Sequence, residues 1–503
     1  MRSVNFAEIG MLLMSPGEPT SNRKLRWFAV ALLSYVAVLM LPTPAGLTGS
    51  GQVALGLLVL VIILWITECV SPAASAVVLT GMAVLGLLGK PLTSDAEPMT
   101  SANALGVMLT GFSSSAVLLV ASALFLAVAL KLTGLDRRVA LLVMSRVGIS
   151  PARLTIGAMI VGFVLALFIP SATARVGAVI PIMVGIVTAL GLPVTSSLGA
   201  TLMIVTAQVC SIFNMAIKTA AAQNLISLSF MQGAFGTTLT WGEWFLMALP
   251  FTLAMCVALF FLSMALLRPH VPPAEEARRR LAEEVASLGP VSPAEWRLIL
   301  VALLLLVMWS TEGWLHPLDT TTTTQVGIAI LLMPRIGVMT WAQAEKQVPW
   351  GTVILFAAGI SLGLLLSRTG AAAWLAQVTL GQLGLAAMPV FLVVGALSLF
   401  NIVVHLGFAS ATGLASTLIP VMIAFAQTLP HGKEVAFGIV MIQSMVVSFG
   451  FILPTNAPQN MLCYATGAFS TAQFAKVGVT LTLVGLGLII LFSATIWPMM
   501  GLV

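Results

Sequence analysis

Long apolar runs alternate with short polar breaks along the whole chain, and the runs are long enough to set the fold. Stretches such as 55–65, 298–309 and 477–497 are almost wholly apolar, and a helix that crosses a bilayer needs about 20 such residues. Hydropathy and breaks together predict spans at 27–43, 52–70, 73–89, 106–132, 197–218, 243–267, 298–315, 324–340, 351–367, 435–454 and 476–498. Two further apolar stretches, 154–192 and 387–428, are each interrupted near the middle by Ser-Ala-Thr. The arm after each interruption runs about 16 residues, roughly 24 Å as helix. With a break at the centre, these stretches read as re-entrant hairpins rather than as pairs of full spans. The expected fold is an all-α polytopic membrane protein of about 11 transmembrane helices plus two hairpins.

Composition agrees with that pattern. Of 503 residues, 59% are hydrophobic and only 8% charged, and the mean hydropathy is +1.09. A water-soluble chain of this length needs far more charge to cover its surface. The four cysteines (Cys69, Cys210, Cys256 and Cys463) lie in or beside apolar segments, with no paired spacing and no neighbouring histidine cluster. They read as small buried hydrophobes, and neither a disulfide framework nor a metal site is expected from them. Residues 1–25 are mixed in character and run into Arg23-Lys24-Leu25-Arg26, the pattern of a cytoplasmic leader before a first span rather than of a cleaved signal peptide.

Loop charge orients the spans. With the N-terminus in the cytoplasm, cytoplasmic segments collect seventeen of the 22 basic residues, and the outer segments hold only Lys90, Arg368 and Lys433. That bias is the positive-inside pattern of a plasma (bacterial inner) membrane protein, and it leaves the C-terminus outside. The basic excess is accounted for by the bilayer, and no nucleic-acid partner is expected. Two basic residues, Arg175 and Lys218, remain at membrane depth.

The chain also repeats itself. Trp65-Ile66-Thr67-Glu68 returns as Trp309-Ser310-Thr311-Glu312, and Lys131-Leu132-Thr133-Gly134 as Ser367-Arg368-Thr369-Gly370. Ser171-Ala172-Thr173 returns as Ser410-Ala411-Thr412, each followed at equal distance by Ile-Pro, and Gln223-Asn224 returns as Gln459-Asn460. Four matches in one order at nearly constant separation predict a duplicated architecture. Residues 1–50 form the leader and first span. Repeat one follows at 51–268, with an inner hairpin at about 151–195 and a broken span at about 197–235. A charged cytoplasmic linker occupies 269–297, with a short helix expected in it as a solvated connector. Repeat two runs over 298–503, with an outer hairpin at about 387–428 and a broken span at about 435–460. The matching spans run in opposite directions, so the repeats are inverted, as in many secondary transporters with a binding site near the bilayer midplane.

Backbone groups freed at a helix break cannot stay unpaired in hydrocarbon. The arm after each Ser-Ala-Thr starts at the break, so its free amides and positive dipole end point toward the midplane. The hydroxyls of Ser171, Thr173, Ser410 and Thr412 either cap those amides or donate to a bound oxyanion. Two such ends facing one cavity suit a substrate with two separated negative groups, such as a dicarboxylate. Asn224 and Asn460, at the second pair of breaks, offer donors and acceptors to substrate or ion; their alternative role is to join helices.

These segments also carry a family resemblance. Pro170-Ser171-Ala172-Thr173-Ala174-Arg175, Ser410-Ala411-Thr412, Gln223-Asn224 and Ala457-Pro458-Gln459-Asn460, with the Trp-x-Thr-Glu copies, resemble the divalent anion:sodium symporter family of di- and tricarboxylate transporters. The likeness covers about residues 50–500. Pro-Ser-x-Thr-Ala-Arg is similar to the branch of 2-oxoglutarate/malate and citrate/succinate translocators. The resemblance implies an ion-transporter-like fold of eleven spans and two hairpins, a homodimer, elevator-type movement, and contact of the motif Ser and Thr residues with substrate carboxylates. It also implies an ion site at the breaks, so a carried Na⁺ would belong near Thr455 and Asn456.

Two departures redirect the reading. Ala172 and Ala411 stand where the family has an asparagine, which removes a side-chain amide from each tip. Lys218 precedes the first break, where Pro454 stands in the second half. A charge at membrane depth is a functional hypothesis by default. Arg175 is placed to pair with a carboxylate, and Lys218, with Thr219 beside it, to replace a bound sodium ion. Such a carrier exchanges one dianion for another and needs no cofactor. His405 is either a proton-linked group or a satisfied buried histidine; Glu68 and Glu312 read as interfacial anchors. A sodium-coupled dicarboxylate or sulfate symporter is the alternative. An enzyme is not expected, because His270, His316, His405 and His431 are scattered and no nucleophile–base or metal constellation exists.

Overall fold

A computed structural model describes residues 20–93, 96–271 and 275–503, and among these the chain is helical without strands. Most of the expected leader, residues 1–19, lies outside the described residues. Eight described helices are long and apolar enough to cross a membrane: Gly49–Thr67, Ser115–Thr133, Ala172–Ala189, Ser197–Ala216, Trp241–Leu267, Pro293–Ser310, Trp350–Arg368 and Thr471–Met499. Shorter apolar helices, Pro72–Leu87, Pro151–Ala166, Val390–His405 and Ala411–Ala426, fill the rest of the bundle. Thr20–Met40 leads in ahead of these and packs on Gly49–Thr67.

The Ser-Ala-Thr stretches are helical hairpins, Pro151–Ala166 with Ala172–Ala189 and Val390–His405 with Ala411–Ala426. Each turns at its serine, which leaves helical geometry (φ −135°, ψ 112° at Ser171; φ −142°, ψ 117° at Ser410) and caps the second arm. The Ile-Pro proline that follows, Pro181 or Pro420, lies inside the arm without ending it. After each hairpin comes a helix that stops in a single 3₁₀ turn and restarts. Ser197–Ala216 gives way to Lys218–Ala220 and Ala222–Phe235, and Lys433–Val446 is followed by Pro454–Asn456 and Pro458–Tyr464. The two restarts share one backbone geometry, with Ala221 at φ −150°, ψ 139° and Ala457 at φ −154°, ψ 143°. The Thr-Gly pairs match as well. Ser115–Thr133 and Trp350–Arg368 both run out near a glycine at positive φ, Gly134 at 73° and Gly370 at 74°, where a side chain would be strained.

Several expected spans are divided. The stretch read as one span at 106–132 is two helices, Ser101–Leu109 and Ser115–Thr133, with a 3₁₀ turn at Thr110–Ser113 between them. Tertiary packing explains the break. Helix Trp350–Arg368 crosses so closely that a Cβ on Gly111 would sit 2.2 Å from the Ala357 carbonyl. Ser361 Oγ accepts from the Gly111 amide at 3.0 Å and donates to the Met108 carbonyl at 2.6 Å, satisfying both ends of the interruption. The stretch at 324–340 is helical only as Thr320–Leu332, and that at 435–454 only as Lys433–Val446.

The linker helix, Glu275–Ser287, packs against Leu135–Val147 and the second arm of the first hairpin, where a free solvated connector was expected. Leu281, Val285 and Leu288 join the core from one side of it. Arg138 fixes its exit by a buried pair with Glu295 at 2.5 Å and by donating to the Leu288 and Gly289 carbonyls.

Candidate functional site

Both hairpin turns and both helix breaks open onto one cavity of about 510 Å³. Its wall carries Ser171, Ala172 and Thr173 from the first turn and Ser410, Ala411 and Thr412 from the second. The restarts contribute Ala221, Ala222 and Gln223 on one side and Ala457, Pro458 and Gln459 on the other. Asn214, Thr352, His405 and Ser448 complete the polar part of the lining, and exposed Lys24, Glu68, Ser71 and Pro349 form a rim.

The helix starts explain what this wall attracts. Ser171 Oγ accepts from the Ala174 amide and Ser410 Oγ from the Gly413 amide, each at 3.3 Å. Each serine thus satisfies one of the several free amides at its helix start, and the rest of that positive end faces the cavity. Helix Ala222–Phe235 begins at the same wall with no side-chain cap. Three helix N-termini of substantial length therefore meet on one cavity; Pro458–Tyr464, at 7 residues, adds a weaker fourth. Such an arrangement favours an anion through backbone dipoles. Among the described residues the one acidic side chain on the wall, Glu68, is at the rim. No group of three or more His, Cys, Asp or Glu residues that could hold a metal occurs among the described residues.

Arg175 is close to the cavity in sequence but does not line it. Its side chain is fully buried and turns back to join the first hairpin to the first break. Nη1 donates to the Ile169 carbonyl at 2.5 Å and the Ala220 carbonyl at 2.9 Å. Nη2 donates to the Cys210 carbonyl at 3.0 Å and to Asn214 Oδ1. Four oxygens from the hairpin turn, the break and the preceding helix thus converge on one fixed cation. Leu414 holds the corresponding place in the second half, and the junction there is closed from the opposite direction. Asn456 Nδ2 lies 3.1 Å from the His405 carbonyl and at longer range faces those of Leu406 and Phe408, while Asn456 Oδ1 accepts from the Leu453 amide at 2.9 Å.

Asn224 and Asn460 also face away from the cavity and perform one task twice. Asn224 Nδ2 donates to the Asn214 carbonyl at 2.6 Å and the Ile217 carbonyl at 3.1 Å. Asn460 Nδ2 donates to the Gly450 carbonyl at 2.8 Å and the Leu453 carbonyl at 3.4 Å. Each asparagine supplies the hydrogen bonds that the preceding helix loses at its break. The residues just before them, Gln223 and Gln459, line the cavity. Successive helix positions point about 100° apart, so only one of each Gln-Asn pair can face it.

Lys218 and Thr219 are buried on the far side of the first break. Lys218 Nζ donates to the Leu239 carbonyl at 2.8 Å and lies 3.9 Å from the Glu312 carboxylate. Glu312 also accepts from the Trp241 amide at 3.1 Å and from Thr320 Oγ1 at 2.6 Å, and Trp241 Nε1 donates to Thr219 Oγ1 at 3.1 Å. The two Trp-x-Thr-Glu copies thus differ. Trp65 and Trp309 each donate to a hydroxyl of the next helix at 3.0 Å, but Glu312 is a partly buried hub and Glu68 an exposed rim residue at φ 47°. Thr455 is exposed and lies off the cavity wall. His405 is buried, with Nε2 3.4 Å from the Asn456 carbonyl, and packs over Gly450, where a Cβ would be 3.2 Å from Nε2.

Comparison with known proteins gives a consistent picture. A sequence model of the sodium:sulfate symporter transmembrane region matches residues 23–503. A protein described as a membrane protein from Cupriavidus necator is 44% identical over 96% of this chain and 94% of its own length. The L-tartrate/succinate antiporter of Escherichia coli K12 is 26% identical over 94% of this chain and 97% of its own. Among solved structures, the YdaH transporter of Alcanivorax borkumensis superimposes with a TM-score of 0.52 at 16% identity, covering 85% of this chain and 99% of that one. MtrF of Neisseria gonorrhoeae, described with a class of antimetabolite efflux pumps, gives 0.54 at 12% identity, covering 86% and 96%. At such identities these two neighbours speak to the fold alone.

Proposed function

The chain belongs to the sodium:sulfate symporter family of membrane transporters, the divalent anion:sodium symporter group, and from that premise we propose that it exchanges one small dicarboxylate for another without sodium. Arg175 carries this reading. A sodium ion held between a hairpin turn and a helix break would need a cage of oxygens from both, and at the first junction those oxygens already surround a guanidinium. Because the cation is covalently part of the protein, it is never released, and the energy of a sodium gradient has no route into the cycle. At the second junction the amide of Asn456 instead occupies the carbonyls at the hairpin turn, those of His405, Leu406 and Phe408. The antiporter name of the Escherichia coli relative supports exchange and a C4 dicarboxylate as cargo.

In this reading Ser171, Thr173, Ser410 and Thr412 contact the substrate carboxylates, and the helix N-termini behind them supply the field that makes a dianion the preferred occupant. The hairpins and broken helices move as one body, stitched across the two halves by Gln223 to Ser448 at 3.2 Å, Gln459 to Ser211 at 3.0 Å and Gln208 to the Phe451 carbonyl at 2.9 Å. By loop charge, the rim at Lys24 and Glu68 faces the cytoplasm.

Proteoliposomes test the reading. Uptake of labelled succinate or L-tartrate is expected to require unlabelled dicarboxylate inside and to be unchanged when Na⁺ is replaced by K⁺. Strict sodium dependence with no stimulation by internal dicarboxylate would overturn it in favour of a symporter. Thr173→Ala or Thr412→Ala is expected to lower exchange by about tenfold or more, the loss of one hydrogen bond to a charged group; uptake unchanged in both variants would remove these residues from the site.

A further inference from the structure

Each hairpin tip has alanine, Ala172 or Ala411, at its centre, so neither tip supplies a side-chain amide to the cavity. Three amides nevertheless reach the wall from elsewhere: Asn214, whose oxygen is already taken by Arg175, and two glutamines, Gln223 and Gln459, one from each half. We propose that Gln223 and Gln459 are the groups that read the two substrate carboxylates, each offering its side-chain NH₂ to one of them. The inference rests on the dicarboxylate reading above and deepens it.

The surroundings of the two glutamines fit this role and those of their neighbours do not. Gln223 and Gln459 are buried yet line the cavity. Each is held by a single side-chain partner, a serine hydroxyl of the opposite half, Ser448 at 3.2 Å and Ser211 at 3.0 Å. A hydroxyl both donates and accepts, so the serine serves either face of the amide. With Nε2 toward the serine, Oε1 has no donor among the described residues. With the amide turned over, Oε1 accepts from the serine and the NH₂ group faces the cavity. Turning the amide over costs nothing at Ser448 and only a long 3.4 Å bond from Ser211 to the Ala207 carbonyl, so which group faces inward is decided by what occupies the cavity. A carboxylate, which only accepts, selects the NH₂-inward orientation. Asn224 and Asn460 lack this freedom, because their Nδ2 groups are bound to backbone carbonyls that cannot donate.

The arrangement also restricts the cargo. Two separate amides on two different helices match two separate acceptor groups, so a dicarboxylate engages both and a monocarboxylate only one. A hydrogen bond from a neutral amide to a carboxylate is worth about 1.5–3 kcal/mol, or roughly 10- to 100-fold in affinity per site.

Gln→Glu at 223 or 459 separates reading from stitching. A glutamate has the same shape and still accepts from the serine hydroxyl, but it turns an acceptor and a negative charge toward the substrate. The KM for succinate in counterflow is expected to rise about 10-fold or more in Q223E and in Q459E. Succinamate, in which one carboxylate is a carboxamide, is expected to gain on succinate by a similar factor, because the amide is now on the ligand. Ser448→Ala and Ser211→Ala, which free the amide but leave it on the wall, are expected to raise KM by about 3-fold, short of the glutamate variants, and to leave the preference for succinate over succinamate in place. Should the glutamate variants fail to reach the membrane, Gln→Met at the same sites is expected to raise KM and leave expression intact. Parent KM values in Q223E and Q459E, or losses matched by the serine variants, would overturn the proposal. Failure of the parent to exchange dicarboxylates at all would instead overturn the dicarboxylate reading.

Discussion

In the first half a guanidinium closes the junction between hairpin and broken helix, and in the second half an amide closes it from the other side. The problem is the same in both. A hairpin turn and a helix break leave carbonyls unpaired at membrane depth, where no water can reach them. Arg175 reaches from the hairpin to the break and gathers four oxygens. Asn456 reaches from the break to the hairpin, and His405 packs over Gly450 beside it, at positions held in the first half by Ala166 and Asn214. The backbone geometry at the breaks is nearly the same, with Ile217 at φ −116° and Leu453 at φ −117°. A backbone motif can therefore be duplicated while the group that completes it changes from a permanent charge to a neutral amide.

The tips differ too. Gly413 lies under Trp65, where a Cβ would be 2.9 Å from the indole, and the matching Ala174 is exposed. The second hairpin is thus docked on a Trp-x-Thr-Glu helix and the first is free of one. Trp309, the second half's copy of Trp65, instead stacks on Trp241 of the first half, with ring centroids 6.4 Å apart.

Three substitutions and one exposed reference probe this contrast, in falling order of effect. Arg175→Met removes the charge and keeps the bulk, so four buried oxygens lose their donor. A destabilisation of about 3–5 kcal/mol is expected, because four buried neutral oxygens each lose a hydrogen bond from a charged donor, read as a fall in the melting temperature of the purified protein. Added Na⁺ is expected to recover part of that fall in the variant and to do nothing for the parent. A variant as stable as the parent would show that the guanidinium does not close the junction. Asn456→Ala removes a neutral donor with a single shorter carbonyl bond, at 3.1 Å, and is expected to cost about 1–3 kcal/mol; a cost above that of Arg175→Met would reverse the comparison. Glu312→Gln, which keeps an acceptor oxygen for Trp241 and Thr320 but removes the charge facing Lys218, is expected to cost about 1 kcal/mol, because the two groups are 3.9 Å apart and Lys218 keeps its bond to the Leu239 carbonyl. Glu68→Gln in the same melt serves as the exposed reference, with no change expected.

Much of this organisation is legible in the sequence. Hydropathy gives the membrane class. The paired Ser-Ala-Thr and Gln-Asn segments mark the turns and breaks, because polar residues in the middle of an apolar stretch are costly unless a helix turns or breaks there. What is not legible is the direction of side chains once the breaks are made. Arg175 is two residues beyond Thr173, which suggests substrate contact, but the carbonyls that bind it come from residues 169, 210 and 220 and converge only in the fold. Chemical type alone does not separate Asn from Gln in the repeated pair; the helical turn between adjacent residues is the signal that does. Lys218 and Glu312 are far apart in sequence, and nothing local pairs them. The break at Thr110–Ser113 has no local mark because it depends on Ser361, on a helix that arrives much later in the chain.

The helix starts on the cavity wall have a consequence for how such a carrier can change over generations. Much of the attraction for negative charge there comes from peptide groups, which are present whatever the side chains are. Point substitutions can reshape the wall, as Ala172 and Ala411 illustrate, and so alter which anion fits. They leave the backbone's share of the sign in place. Cargo shape is open to drift in a protein built this way, whereas reversing cargo polarity would require rebuilding the hairpins themselves.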